Sequence, residues 1–193
     1  RGFRWDAMVA ALIGALAIQV AANLVNDVFD ARKGADTEDR IGPTRAIAAG
    51  LLSERAVWVG TAVVVGVALA AGGYLIGIAG WVVAVIGGAS LLAMFGYVGG
   101  PKPYGYRGMG ELFVFVFFGF VAVVGTVCVQ LLALPALAFW VAVPVGALAT
   151  AILVVNNLRD ICTDEKSGKH TLAVRLGTRG TKLEYIFFCN DTD

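Results

Sequence analysis

Residues 5–30 read WDAMVAALIGALAIQVAANLVNDVFD, a nearly uncharged apolar run that closes on a cluster of amides and carboxylates. At 1.5 Å per residue, the run from 5 to 25 is about long enough to cross roughly 30 Å of hydrocarbon as a helix. At its end Asn23, Asn26, Asp27 and Asp30 follow one another at i, i+3, i+4 and i+7, so they share one helical face. Carboxylates at the edge of hydrocarbon are costly unless paired or metal-bound, so this cluster marks a functional site more readily than a surface.

The same pattern continues outward. Further apolar runs cover 57–78, 81–98, 112–134 and 136–155, and another begins near Tyr185. A soluble domain carries about a quarter charged residues. Here 15% are charged and 59% hydrophobic, with a mean hydropathy of +0.80. The expected fold is an all-α integral membrane bundle, with five full spans and the start of a sixth in a single domain over residues 1–193. The first run is expected to be a span and not a cleaved leader, because the chain lacks an initiator Met and the run leads straight into the acidic cluster. The start at Arg1 and the abrupt Asn190-Asp191-Thr192-Asp193 ending predict that both termini are cut within a longer protein.

If the spans alternate in direction, segments 30–55, 99–111 and 156–182 emerge on one side, and they hold 13 of the 15 Lys and Arg. The opposite connections, 77–80 and 134–135, are tight and uncharged. The positive-inside rule therefore places the charged loops in the cytoplasm of a cell membrane, bacterial by expectation. A formal net charge of +1 carries no nucleic-acid signal. Cys128, Cys162 and Cys189 have no metal-ligand or redox spacing and are read as incidental. Sequence says nothing of oligomeric state.

Local signals organise the loops. Gly42-Pro43 breaks the chain, residues 44–52 suit a short interfacial helix, and Ser53 is placed to cap the second span. Residues 99–103, with two prolines and two glycines, predict a structured turn leading into Tyr104, Tyr106 and Arg107. Ala10/Gly14 and Ala17/Ala21, at four-residue spacing, suit a close helix contact.

A second polar cluster ends the fifth span: Asn156-Asn157-Leu-Arg159-Asp160-Ile-Cys-Thr-Asp164, with Asp160 and Asp164 one turn apart. Helix capping accounts readily for one such cluster and poorly for two of matching composition on one side of the bilayer. Oxygen-only ligands among basic residues fit Mg²⁺ shared between carboxylates and substrate phosphates. Arg32, Lys33, Arg45, Lys102, Arg107, Arg159 and Lys169 supply the positive charge that a diphosphate requires.

At these residues the chain resembles the UbiA superfamily of intramembrane aromatic prenyltransferases, whose motifs read N-x-x-x-N/D-x-x-D and D-x-x-x-D. The strings around Asn26 to Asp36, Arg40 to Ile47, Lys102 to Arg107 and Asn157 to Ala173 resemble its menaquinone branch, and the likeness runs to about Lys182. The family's fold has more spans than this chain offers.

The resemblance implies that Asn23, Asp27, Asp30, Asp160 and Asp164 hold Mg²⁺ and the diphosphate of a polyprenyl donor. The four aspartates would be catalytic, and Asn26, Lys33, Arg45, Lys102, Arg107, Arg159 and Lys169 would bind the diphosphate. It further implies an aromatic quinone precursor, 1,4-dihydroxy-2-naphthoate, as acceptor, prenylated with loss of its ring carboxyl to give demethylmenaquinone, while the spans hold the prenyl tail. Asp36, Tyr104, Tyr106 and His170 are further candidates: an extra loop acid, two aromatics near the carboxylates, and an acid or base near neutral pH. Phe113, Phe115, Phe117, Phe118 and Phe120 crowd the fourth span, where rings either meet lipid or shield an allylic cation. Prenyl transfer to 4-hydroxybenzoate or a related ring is the alternative within this chemistry. A cation transporter is the alternative outside it, although transporter carboxylates belong near mid-bilayer, away from loops.

Overall fold

A computed structural model describes residues 2–34 and 45–190 of the chain. The spans appear as helices α1 (Trp5–Arg32), α2 (Glu54–Ala79) and α3 (Trp81–Val98), a broken fourth span, and α6 (Ala136–Arg159). The fourth span, Gly110–Leu131, consists of α4 (Gly110–Val114), a wide π-helical stretch (Phe115–Val121) and α5 (Ala122–Leu131). All five are long and apolar enough to cross a membrane, and no strand occurs among the described residues. The chain is an all-α integral membrane bundle.

Burial is sorted by size, as lipid demands. The interior is built from Ala7, Ala17, Ala21, Val25, Ala142, Ala151 and Val154, while Leu12, Leu16, Leu92, Leu137, Trp140 and Ile152 stand exposed on the outside. With no hydrophobic drive between helices in a bilayer, small residues that let backbones approach make the contacts. The pairs anticipated on α1 behave this way: Ala10, Ala17 and Ala21 are buried, and Gly14 lies where an added Cβ would touch Ala71 of α2. A close approach joins the π-helical stretch to α6. A Cβ on Gly119 would lie 2.8 Å from the Ala142 carbonyl oxygen and 2.8 Å from the Gly146 Cα. A plain helix over 112–134 was expected; the inserted wide turn instead carries Gly119 against α6.

The two ends of the bundle are held by different contacts. At one end Tyr74 Oη donates to Asp6 at 2.8 Å, and the Arg4 amide donates to Gln130 Oε1 at 3.1 Å, gathering the start of α1, late α2 and the end of α5. Gly80, at φ +74, makes the tight α2–α3 turn there. The other end carries the polar clusters, so the spans alternate in direction as expected.

Ser53 does cap α2, its Oγ accepting the Ala56 amide at 3.2 Å. Residues 46–50 form hydrogen-bonded turns rather than the expected short helix, because the chain closes on Gly50 at φ +67. The loop at 99–103 leads into a 3₁₀ turn, Tyr104–Arg107. After α6 come α7 (Ile161–Lys166) and α8 (Leu172–Asn190), the latter broken at Gly177. The sixth apolar run therefore lies inside a helix that begins well before Tyr185. Gly42-Pro43 and Asp36 lie outside the described residues. Cys128, Cys162 and Cys189 form no disulfide with one another.

Candidate functional site

The last turn of α1 is where sequence pattern becomes a site. Asn26 and Asp30, one turn apart, both face a polar cavity of about 130 Å³. Asp160 and Asp164 line the same cavity from the α6–α7 junction, with Asn157, Thr163 and Thr171 beside them. The two acidic clusters therefore meet. Asp27 is buried at 7% exposure but is not in the lining, and its Oδ1 has no hydrogen-bond partner; the same holds for Asn26 Oδ1. Asn23 is not in this lining, its amide donating to the Gln19 carbonyl at 3.0 Å.

Asp30 is the hub. Only 1% exposed, it accepts Arg45 Nη2 at 2.9 Å and Lys169 Nζ at 3.0 Å on Oδ2, and Tyr106 Oη at 2.7 Å on Oδ1. Three separate connections are thereby pinned to the end of α1, and the His170 amide donates to the Tyr106 carbonyl at 3.1 Å to join two of them directly. Burial and the Asp30 hydrogen bond push the Tyr106 hydroxyl well above the usual phenol range, so it stays a donor. Asp160 is gripped by its neighbour Arg159 through two contacts of 2.7 Å.

Not every anticipated cation arrives. Arg45 and Lys169 line the cavity, whereas Lys33, Lys102, Arg107 and Arg159 do not. Lys33 Nζ instead donates to the Val98 carbonyl at 3.0 Å and sits 3.8 Å above the Tyr106 ring, where burial lowers its pKa against the pull of Asp30. Arg32 pairs with Glu54. Lys102 and Arg107 are exposed, and so is His170, whose ring is not in the lining.

Below the polar cavity lies an apolar one of about 430 Å³, running between α1, α2, α3 and the fourth span from Asn23 and Asn26 to Ala11, Leu75 and Val129. Asn26 and Tyr97 belong to both linings and mark the junction. Tyr104 faces the apolar side, donating to the Ala93 carbonyl at 2.7 Å and stacking on Phe113 at 3.8 Å between centroids. Phe117 and Phe118 share that wall, whereas Phe115 and Phe120 do not.

The carboxylate and amide donors of the lining offer oxygens, and one of them, the buried Asn26 Oδ1, lacks a partner. That set fits a hard divalent cation whose shell is completed by phosphate oxygens. It does not fit a protein-only cage: among the described residues no three His, Cys, Asp or Glu stand close enough to hold an ion.

Residues 1–189 match the model of the UbiA prenyltransferase family. The chain belongs to that family. Among relatives of this UbiA chain, 1,4-dihydroxy-2-naphthoate octaprenyltransferase from Mycobacterium tuberculosis is 44% identical, the alignment covering 94% of the chain and 61% of the relative. Proteins of the same name from Haemophilus influenzae and Escherichia coli are 42% and 40% identical, with 92% and 90% of the chain and 59% of each relative covered. The chain thus spans about six-tenths of the length of the curated relatives it matches.

Two groups in this UbiA chain escape a motif reading. Tyr97 is a lone residue in an apolar run, and no sequence signal separates it from core. Glu111 did carry a signal, being an isolated acid at the start of a span. It is 6% exposed and accepts Asn157 Nδ2 at 2.8 Å.

Proposed function

We propose that the protein of which this chain forms part transfers a polyprenyl group from its diphosphate to 1,4-dihydroxy-2-naphthoate, with loss of the ring carboxyl, giving demethylmenaquinone. The carrying observation is that Asp30, Asp160 and Asp164 line one polar cavity that shares Asn26 and Tyr97 with an elongated apolar cavity. A charged diphosphate head suits the first and an isoprenoid tail the second. The acceptor follows from the names of the relatives.

Mg²⁺, which Asp30, Asp160 and Asp164 would hold only together with oxygens of the diphosphate, would supply Lewis-acid stabilisation of charge on that departing group. The chain's own residues do the rest. Arg45 and Lys169, now on Asp30, stand where they can turn to phosphate oxygens as the allylic carbon–oxygen bond breaks and its electron pair leaves with the diphosphate. Tyr104, Phe113 and Phe117 offer apolar, π-rich walls near the junction that keep water from the allylic cation. The electron-rich ring then forms the new carbon–carbon bond, and the carboxyl departs as carbon dioxide, returning its bonding pair to the ring. The Lys- and Arg-rich ends support a cytoplasmic face for this chemistry by the positive-inside rule.

The test is transfer of radiolabelled polyprenyl diphosphate to the naphthoate by full-length protein carrying Asp160→Asn or Asp164→Asn, with the product identified by mass. Unchanged transfer in both variants would overturn the assignment of the site. A product lacking the expected loss of carbon dioxide would overturn the acceptor.

A further inference from the structure

Glu111 is a carboxylate the proposed chemistry leaves unused, buried at the membrane end of the site. Its Oε1 accepts Asn157 Nδ2 at 2.8 Å, while Oε2 is buried without a hydrogen-bond partner. Glu111 belongs to neither cavity lining, so it cannot meet a ligand directly. Asn157, in contrast, lines the polar cavity with Asp30, Asp160 and Asp164. Glu184 of α8 lies within electrostatic reach of Glu111, and its own Oε2 is also buried and unpartnered, so this neighbour brings no compensating positive charge. Keeping a carboxylate in such a place is costly unless it serves something.

The geometry supplies that service. An ionised carboxylate only accepts hydrogen bonds, and of the two ends of an amide only the NH₂ donates. By taking Asn157 Nδ2, Glu111 decides which end of that amide remains for the cavity: the carbonyl oxygen. Without Glu111 the amide is free to turn and present hydrogens, which repel a cation.

We infer that Glu111 is a positioning residue, holding Asn157 so that its carbonyl oxygen faces the cation and diphosphate bound in the polar cavity. This rests on the reading of that cavity given above. Outer partners of this kind commonly change metal affinity about 10–100-fold when removed.

The experiment uses full-length protein, Mn²⁺ in place of Mg²⁺ and inorganic pyrophosphate, with bound Mn²⁺ followed by electron paramagnetic resonance. Glu111→Met preserves length and removes a buried carboxylate, so folding is not the casualty, and a thermal melt checks it. Its half-binding Mn²⁺ concentration is expected to rise about 10-fold or more. Glu111→Gln, whose own carbonyl accepts the Asn157 amide, is expected to bind close to wild type. In an Asn157→Ala background, Glu111→Met is expected to add nothing, since the two residues act as a unit.

Wild-type Mn²⁺ affinity in Glu111→Met overturns the inference. So does a Glu111→Gln as weak as Glu111→Met, which would make charge rather than orientation the cause, and so does an additive effect with Asn157→Ala. Wild-type protein that neither binds Mn²⁺ with pyrophosphate nor transfers prenyl groups sinks the reading of the site, and this inference with it. Normal transfer with an inert Glu111 sinks this inference alone.

Discussion

Lys169 Nζ lies 3.0 Å from Asp30 Oδ2 across 139 residues of sequence, and Arg45 Nη2 shares that oxygen at 2.9 Å. Both cations are mostly buried, with side chains 17% and 19% exposed. The contact brings the loop after α7 to the end of α1 and leaves both cations on the lining of the polar cavity.

Removing that carboxylate should be severe. Asp30→Asn leaves the Lys169 and Arg45 charges without it and is expected to lower prenyl transfer by at least about 100-fold. Lys169→Met removes one charge-assisted contact, worth about 1.5–3 kcal/mol, and should raise KM for the donor diphosphate roughly 10-fold or more. Steady-state kinetics with the donor varied would check both.

The apolar cavity predicts donor-length discrimination. A Cβ added at Gly72 or Gly87, both in its lining, meets no heavy atom within 4 Å, so a larger side chain there occupies the cavity without striking the helices. Gly72→Leu and Gly87→Leu should cut transfer of long-chain donors on the order of 10-fold while sparing geranyl diphosphate. Gly66→Leu on the exposed side of α2 is the control and should leave both unchanged. Equal loss with long and short donors in the cavity variants would exclude the tail from this space.

Alkaline pH should loosen the end of the bundle that holds the site. Burial and Asp30 raise the Tyr106 pKa above the ordinary value of about 10. Folding therefore favours the protonated hydroxyl, a contribution complete below about pH 10 and lost as pH rises further, when the unfolded phenol ionises and the folded one resists. Thermal melts of detergent-purified protein should fall above pH 10, and Tyr106→Phe should flatten that fall.

Packing at the fourth span leaves no room. Gly119→Ala would set a methyl group 2.8 Å from the Ala142 carbonyl oxygen, and overpacking of this kind costs about 1–3 kcal/mol. A lower unfolding midpoint is expected, whereas Gly125→Ala, whose nearest neighbour would be Ile86 at 3.6 Å, should be tolerated.

Much of this was legible in the chain. Runs of apolar residues at membrane length, charges confined to alternate loops, and Asn and Asp at helical spacing at the ends of α1 and α6 are local properties. They dictate spans, alternation and the end at which acids gather, because a bilayer penalises any other placement of charge and unpaired backbone.

The choice among equivalent groups was not local. Lys33 and Lys169 are both loop lysines over the Tyr106 ring, yet only Lys169 lines the cavity while Lys33 turns to the Val98 carbonyl. Tyr104 and Tyr106 are two residues apart, yet they face different cavities. The π-helical stretch and the Glu111–Asn157 contact likewise depend on how the fourth span meets α6. Spacing along one helix sets which residues share a face, but which face meets which neighbour is set by small-residue contacts between helices far apart in sequence, and those arise only once the bundle packs.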